Sequence, residues 1–190
     1  MEKYKYFEQY LQDIYSDVYP QPEDPKHSEW ASESIDWLVQ SMDFTTVLDV
    51  GCGEAFTQPY FQKYGKEYTG ITLGEEDYNR AIQLNRNVIY GDFNFIPFDN
   101  ETFDVVYSRH SLEHSPMPII SLMEWHRVSK NGLCIILPRP GYWGFVGRNH
   151  YSVMVLAQIH FLLERAGWKI IKTNHTPIYE FRFICEKMKQ

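Results

Sequence analysis

The segment VLDVGCGEAF, Val47 to Phe56, combines an apolar run, an acid at its mouth and a glycine turn two residues later. Gly51 and Gly53 permit a tight turn and let the backbone come close to a ligand. Asp49 would repel a pyrophosphate but attract a cation, such as the α-ammonium group of a bound amino acid. A dinucleotide loop reads GxGxxG, and its third glycine position is here Phe56, so pyrophosphate binding explains the segment poorly. A nucleoside carrying an amino-acid tail and a positive charge satisfies both features.

Three further groupings invite chemistry. HSLEH, residues 110–114, has the HxxEH spacing in which two helical histidines share one face and hold zinc. Its setting argues otherwise: it follows directly on the apolar run VVYS, and Pro116 and Pro118 keep a helix from running through it. No third ligand stands at a characteristic spacing, so no metal is expected. Cys52 sits inside the glycine turn and reads mainly as packing, as do Cys134 and Cys185, while His126 and His160 read as structural. PRPGYWGFVGRNHYS, residues 138–152, is a long stretch of Gly, Pro and aromatics, the kind of connection that often serves as a lid. Its Arg139 and Arg148 could pair with a carboxylate or phosphate.

The elements that position these residues are legible from patterning. The 190 residues carry 18 Lys and Arg against 25 Asp and Glu, a net charge of −7 that opposes general nucleic-acid binding. Length suits one domain over 1–190, with a helical cap or lid at 1–45 and a core at 46–190. Three widely spaced cysteines suggest neither a disulfide framework nor a zinc ribbon, so a reducing cytoplasm is expected. No apolar run reaches the ~20 residues of a membrane span, and the N-terminus lacks a signal peptide's apolar core. Two helices separated by PQPEDPKH are expected in the first 45 residues, the second capped by Ser28 or Ser32, with Trp30, Ile35, Trp37 and Leu38 near one face. From residue 46, TVLDV, EYTGIT, VIY, FDVVYS and LCIILP alternate with amphipathic stretches, which predicts parallel strands with crossover helices. VMVLAQIHFLLERAG then reads as a helix stopped by Gly167. WKIIKTN and IYEFRFICEK, joined by a short turn, should pair antiparallel.

With these segments in order, the chain resembles the class I S-adenosylmethionine-dependent methyltransferases, in particular the small type called methyltransferase domain 11. VLDVGCGEAF resembles that family's first motif, VIYGDFNFIPFDNETFDVV its next two strands, SRHSLEH the turn after its fourth strand, and HRVSKNGLCIILP its hallmark helix, glycine turn and fifth strand. The resemblance covers about residues 44–188. It implies an α/β, Rossmann-like fold: a mostly parallel seven-stranded sheet with an antiparallel last strand, helices on both faces and a helical N-terminal cap.

The resemblance also implies the cofactor S-adenosyl-L-methionine, released as S-adenosyl-L-homocysteine, and the residues that hold it. Asp49, Gly51, Cys52 and Gly53 form the loop, Asp92 takes the adenine amino group, Phe93 flanks the ring, and Ser108 and Arg109 stand at the turn after the fourth strand. The family usually places an acid for the ribose hydroxyls about 20 residues beyond the glycines, where this chain has Thr72, with Leu73 expected against the adenosine. One threonine cannot accept two hydrogen bonds as a carboxylate does, and Glu75, Glu76 or Asp77 could compensate. GITLGEE further resembles a segment of the cyclopropane fatty acid synthases. His110, His114 and His150 are the candidate bases, and Tyr142, Trp143, Phe145, Arg148, Asn149 and His150 the acceptor-pocket candidates. SRHS lacks the Asn/Asp-Pro-Pro-aromatic sequence of nucleic-acid aminomethylases, so a small-molecule acceptor is expected. The competing reading is a non-catalytic module that binds the same nucleotide. A monomer and a homodimer are both compatible with the aromatic first 45 residues.

Overall fold

The computed structural model describes residues 2–16, 20, 24–141, 149–176 and 178–189. Its strands are β1 (Thr46–Val50), β2 (Glu67–Thr72), β3 (Val88–Tyr90), β4 (Phe103–Arg109), β5 (Ser129–Pro138), β6 (Trp168–Thr173) and β7 (Glu180–Lys187). They form one sheet in the order β3-β2-β1-β4-β5-β7-β6. Neighbours among β1 to β5 are parallel, and β7 runs antiparallel to both β5 and β6, as its short connection requires.

The helices are α1 (Glu2–Tyr15), α2 (Pro25–Ser41), α3 (Gln58–Lys63), α4 (Glu75–Gln83), α5 (Pro118–Val128) and α6 (Leu156–Arg165). Because successive strand residues point to opposite faces, the apolar runs feed two cores. On one face Ile35, Leu38, Phe61 and Ala81 pack with Val47, Val105, Tyr107 and Ile136. On the other, Leu122, Trp125, Ile159 and Leu163 pack with Leu48, Val50, Val106 and Leu133. Helix α2 is anchored on the first face, where Ser34 shares a 2.7 Å hydrogen bond with the Tyr107 hydroxyl. In contrast, α1 leaves Tyr4, Tyr6 and Tyr10 about 60% exposed (60%, 64% and 61%) and is tied through Tyr15 in its last turn to Asp92, just beyond β3.

Two helix starts differ from expectation. Neither Ser28 nor Ser32 caps α2: Asp24 does, accepting from the amides of Lys26 and His27, and Pro25 takes the first helical position, where its missing N–H costs nothing. Helix α6 begins at Leu156 rather than Val153, with the Gln158 side chain accepting from the Val155 amide, and ends before Gly167 at φ +91° as expected. No described helix is long and apolar enough to cross a membrane.

From β1 the chain steps outward through β2 and β3, then returns to place β4 on the other side of β1. Loops leaving β1 and β4 therefore diverge, and a crevice opens at the carboxyl ends of these strands, where open α/β sheets hold ligands.

Candidate functional site

The loop after β1 forms one wall of this crevice. Gly51 (φ +70°) and Gly53 (φ +53°) adopt the left-handed conformation, and the amides of Gly51 and Cys52 both donate to the Ile71 carbonyl, at 2.9 and 3.1 Å, tying the loop to β2. A Cβ at Gly51 would lie 2.4 Å from Ser111 Oγ and 3.7 Å from the Phe93 ring, so only glycine fits between the turn after β4 and the segment after β3. Ser111 cannot step aside freely, because its hydroxyl donates to the Val50 carbonyl at 2.8 Å. Asp49 is 3% exposed and its Oδ2 accepts from the hydroxyls of Thr57 and Tyr68. Burial pushes its pKa up to about 7, partly offset by those two bonds. The carboxylate therefore gains its charge near neutrality, where a cation placed beside it would favour ionisation. Cys52 is buried, its sulfur packed where a side chain on Gly70 would stand, and desolvation holds its thiol well above the ordinary value. It packs and is unreactive.

Asp92 and Phe93, just beyond β3, are half-buried beside the loop. Oδ1 of Asp92 accepts from the Asn94 amide and side chain, both at 2.8 Å, and Asn94 in turn accepts from Ser115 and Ser121. Trp125 of α5 donates its indole N–H to the Phe93 carbonyl at 3.1 Å and meets the Phe93 ring edge to face. The second carboxylate oxygen of Asp92 accepts from the Tyr15 hydroxyl of α1.

At the end of β2, Thr72 is 4% exposed and its Oγ1 accepts from the Gly74 amide at 3.3 Å, while Leu73 is half-buried. Of the three acids that follow, Glu75 and Glu76 are exposed and Asp77 is buried. Its Oδ2 lies 2.9 Å from where a Gly74 Cβ would stand, so this carboxylate folds back under the loop.

The turn after β4 separates residues that the sequence grouped together. Ser108 is fully buried within the strand. Arg109 donates to Glu180 Oε1 at 2.9 Å, and His110 Nε2 meets the same oxygen at 2.9 Å. Arg182 binds the other oxygen, Oε2, through Nε at 2.8 Å and a second nitrogen at 2.7 Å. Despite desolvation, these partners hold Glu180 down to about 2. Burial carries His110 down to about 4, so this ring is neutral at pH 7 and too weak a base to suit proton removal there. Its backbone is left-handed, φ +52°. Leu112–His114 form a 3-10 turn rather than part of a longer helix, so His110 and His114 do not share the face that a zinc-peptidase pair requires.

Instead, folding brings Glu113 and His114 together with His150, with one ligating atom from each lying within 4.8 Å of the others. The His114 and His150 rings meet edge to face at 4.8 Å, and His114 Nδ1 is 3.2 Å from the Asn149 carbonyl. Asn149 is itself 9% exposed. Burial and the neighbouring His150 push His114 down to about 4. The acceptor candidates Tyr142, Trp143, Phe145 and Arg148 lie outside the described residues. Arg139 packs its guanidinium over the Phe181 ring at 4.6 Å.

Sequence reasoning missed Tyr15, Thr57, Tyr68, Ser111, Glu180 and Arg182. Thr57 and Tyr68 are reached from Asp49 across 8 and 19 residues, with no pattern to announce them.

Residues 48–136 match the profile of the methyltransferase domain family. Cycloartenol-C-24-methyltransferase 1 from Oryza sativa is 34% identical over 97 residues, 46% of this chain and 28% of that enzyme. Sarcosine/dimethylglycine N-methyltransferase from Halorhodospira halochloris is 33% identical over 95 residues, 45% of this chain and 34% of that enzyme. The chain thus matches about a third of the length of these curated relatives. Among solved structures, magnesium protoporphyrin IX methyltransferase from Synechocystis, which holds S-adenosylhomocysteine, superposes with a TM-score of 0.69 at 16% identity over 96% of this chain and 97% of that one. Residues 48–136 are thus similar to the methyltransferase domain family, and the described chain shares its fold with magnesium protoporphyrin IX methyltransferase.

Proposed function

We propose that the protein transfers a methyl group from S-adenosyl-L-methionine to a small-molecule acceptor. One observation carries this reading: at the crevice between β1 and β4, a left-handed glycine loop faces the Phe93 ring, with Asp49 behind it and Asp92 beside it. When bound, S-adenosyl-L-methionine supplies an activated methyl group on a sulfonium leaving group. The chain's own residues bind and orient it. Asp49 presents charge to the ammonium group, and the loop allows close backbone approach. Phe93 and Leu73 offer apolar surface, and Asp92 accepts from the adenine amino group once Tyr15 releases it. Thr72 offers one hydroxyl near the ribose, and a carboxylate for the second would have to come from Glu75, Glu76 or Asp77, of which Asp77 is folded under the loop. Alignment of acceptor and methyl group with exclusion of water supplies most of what remains.

A small-molecule acceptor fits the relatives, whose names specify a sterol and methylated glycines. The net charge of −7 opposes a nucleic-acid acceptor, and three free, buried cysteines fit the cytoplasm. Thr72, its oxygen already accepting from Gly74, favours a second reading as a non-catalytic module with the same fold.

Calorimetric titration with S-adenosylmethionine, S-adenosylhomocysteine and NADH, repeated on Asp49→Ala, tests the cofactor. Micromolar binding of both adenosyl ligands, lost in the variant and absent for NADH, is expected. Release of S-adenosylhomocysteine with a panel of sterols, phenols and amines then separates enzyme from module.

A further inference from the structure

We propose that Glu113, His114 and His150 form a binding site for one divalent cation of the zinc class, at the acceptor end of the crevice. The set contains two imidazoles and one carboxylate, the composition of open zinc and non-haem iron sites that keep positions for a water or substrate oxygen. The ligating atoms lie within 4.8 Å of one another, against the roughly 3.4 Å expected around a tetrahedral ion with bonds of about 2.1 Å. Both histidines are half-buried, so a bound ion would require their rings to turn toward it.

Two observations beyond this clustering point to a cation. Glu113 is 1% exposed and its Oε2 has no hydrogen-bond partner among the described residues, while Oε1 stands 3.7 Å from His110. A buried carboxylate oxygen without a donor is costly, and a metal ion is a partner that would satisfy it. Second, a carbonyl can only accept, so His114 Nδ1 must donate to Asn149 and its Nε2 keeps the lone pair. A metal-bound histidine typically has its other ring nitrogen held in this way.

The backbone also fixes the cluster. The Ser152 amide donates to the Glu113 carbonyl at 2.9 Å and the Ser152 hydroxyl to the Ser115 carbonyl, clasping the chain that carries His150 to the turn that carries Glu113.

This inference deepens the methyltransferase reading in its second half only. The bound ion would hold an oxygen of the acceptor and favour loss of that hydroxyl's proton to solvent, which removes the need for a protein base. Cation binding itself does not depend on methyl transfer.

The test uses the full chain, stripped with a chelator and dialysed separately against Zn2+, Co2+ and Mg2+. Metal content and the visible absorption of the Co2+ form are then read. One Zn2+ or Co2+ per chain is expected, with no retained Mg2+, which prefers oxygen ligands. Glu113→Gln, His114→Gln and His150→Ala should each weaken Zn2+ by about tenfold or more and shift or abolish the Co2+ bands. His160→Ala should leave both unchanged. Far-UV circular dichroism screens each variant for folding, and His150→Ala, which alters a half-buried ring, keeps the test open if Glu113→Gln unfolds. Absence of a stoichiometric ion, or its retention in all three variants, overturns the site. S-adenosylmethionine titration of the same stripped protein reports on the cofactor separately, so failure of the metal site and failure of the methyltransferase reading are distinguishable.

Discussion

The Tyr15 hydroxyl of α1 donates to the Asp92 carboxylate across 77 residues, so the first helix is latched to the acid proposed to receive the adenine amino group. Burial and the neighbouring carboxylate raise the phenol above its ordinary value, so it stays a donor at any working pH. Adenine and Tyr15 then compete for one oxygen. Tyr15→Phe removes the competitor while keeping the ring, and should tighten S-adenosylhomocysteine by roughly tenfold, the worth of about 1.4 kcal/mol for one hydrogen bond. Calorimetry checks this, and weaker binding would instead mean that Tyr15 helps to hold the ligand.

Gly51 and Gly65 offer a matched pair. Both are left-handed, at φ +70° and +66°, but a Cβ at Gly65 meets nothing within 4 Å, whereas one at Gly51 meets Ser111 Oγ at 2.4 Å. Gly65→Ala should cost only the conformational penalty of about 1–2 kcal/mol. Gly51→Ala adds overpacking of about 1–3 kcal/mol and should also abolish adenosyl-ligand binding. Urea unfolding and titration of the two variants side by side separate backbone strain from loss of the site.

Asp49 makes pH a probe. Its folded pKa of about 7 lies above the unfolded value of 3.8, so the folded state keeps a proton that the unfolded chain releases. Stability contributed by this group therefore falls as pH rises from about 4 to about 7 and is level above that. Three pKa units correspond to about 4 kcal/mol. Asp49→Asn should remove that slope. Cofactor affinity moves the other way, strengthening as the carboxylate ionises through pH 7 in the parent and remaining weak and flat in Asp49→Asn. Denaturant midpoints and calorimetry between pH 5 and 8.5 give both curves.

Local chemistry was legible in the sequence and tertiary chemistry was not. The glycine turn after TVLDV, the alternation of apolar runs with helices and the antiparallel end of the sheet are set by neighbours a few residues apart, and period and turn residues record them. Asp24 as the cap of α2 was equally local, but the proline-rich stretch around it hid the signal. The partners of Asp49, Asp92 and Arg109 come from distant strands and from α1, and a single sequence carries no mark of such pairings. HSLEH shows both sides: its order argued correctly against a zinc-peptidase helix, yet only folding brings His150 to His114 from 36 positions further along.

Glu180 ties the turn after β4 to the end of β7, and its charge is the counterweight to two buried arginines. The Arg109 and Arg182 side chains are 7% and 5% exposed, and Glu180 is 1% exposed. Removing this carboxylate leaves two guanidinium groups in a desolvated setting, with the exposed Glu33, 3.6 Å from Arg182, as the remaining ion-pair partner among the described residues. Glu180→Gln should therefore cost about 3–5 kcal/mol, more than deleting the Lys187–Glu101 pair, whose acid is exposed. The sign with pH follows from a folded value of about 2 against the ordinary 4.5. The contribution is fully present above about pH 4.5 and is lost as pH falls from there toward 2. Acid unfolding of the parent should be steep in that window and shallower in Glu180→Gln, which tryptophan fluorescence would follow. Equal acid midpoints in the two proteins would mean that the arginines find other partners when Glu180 is lost.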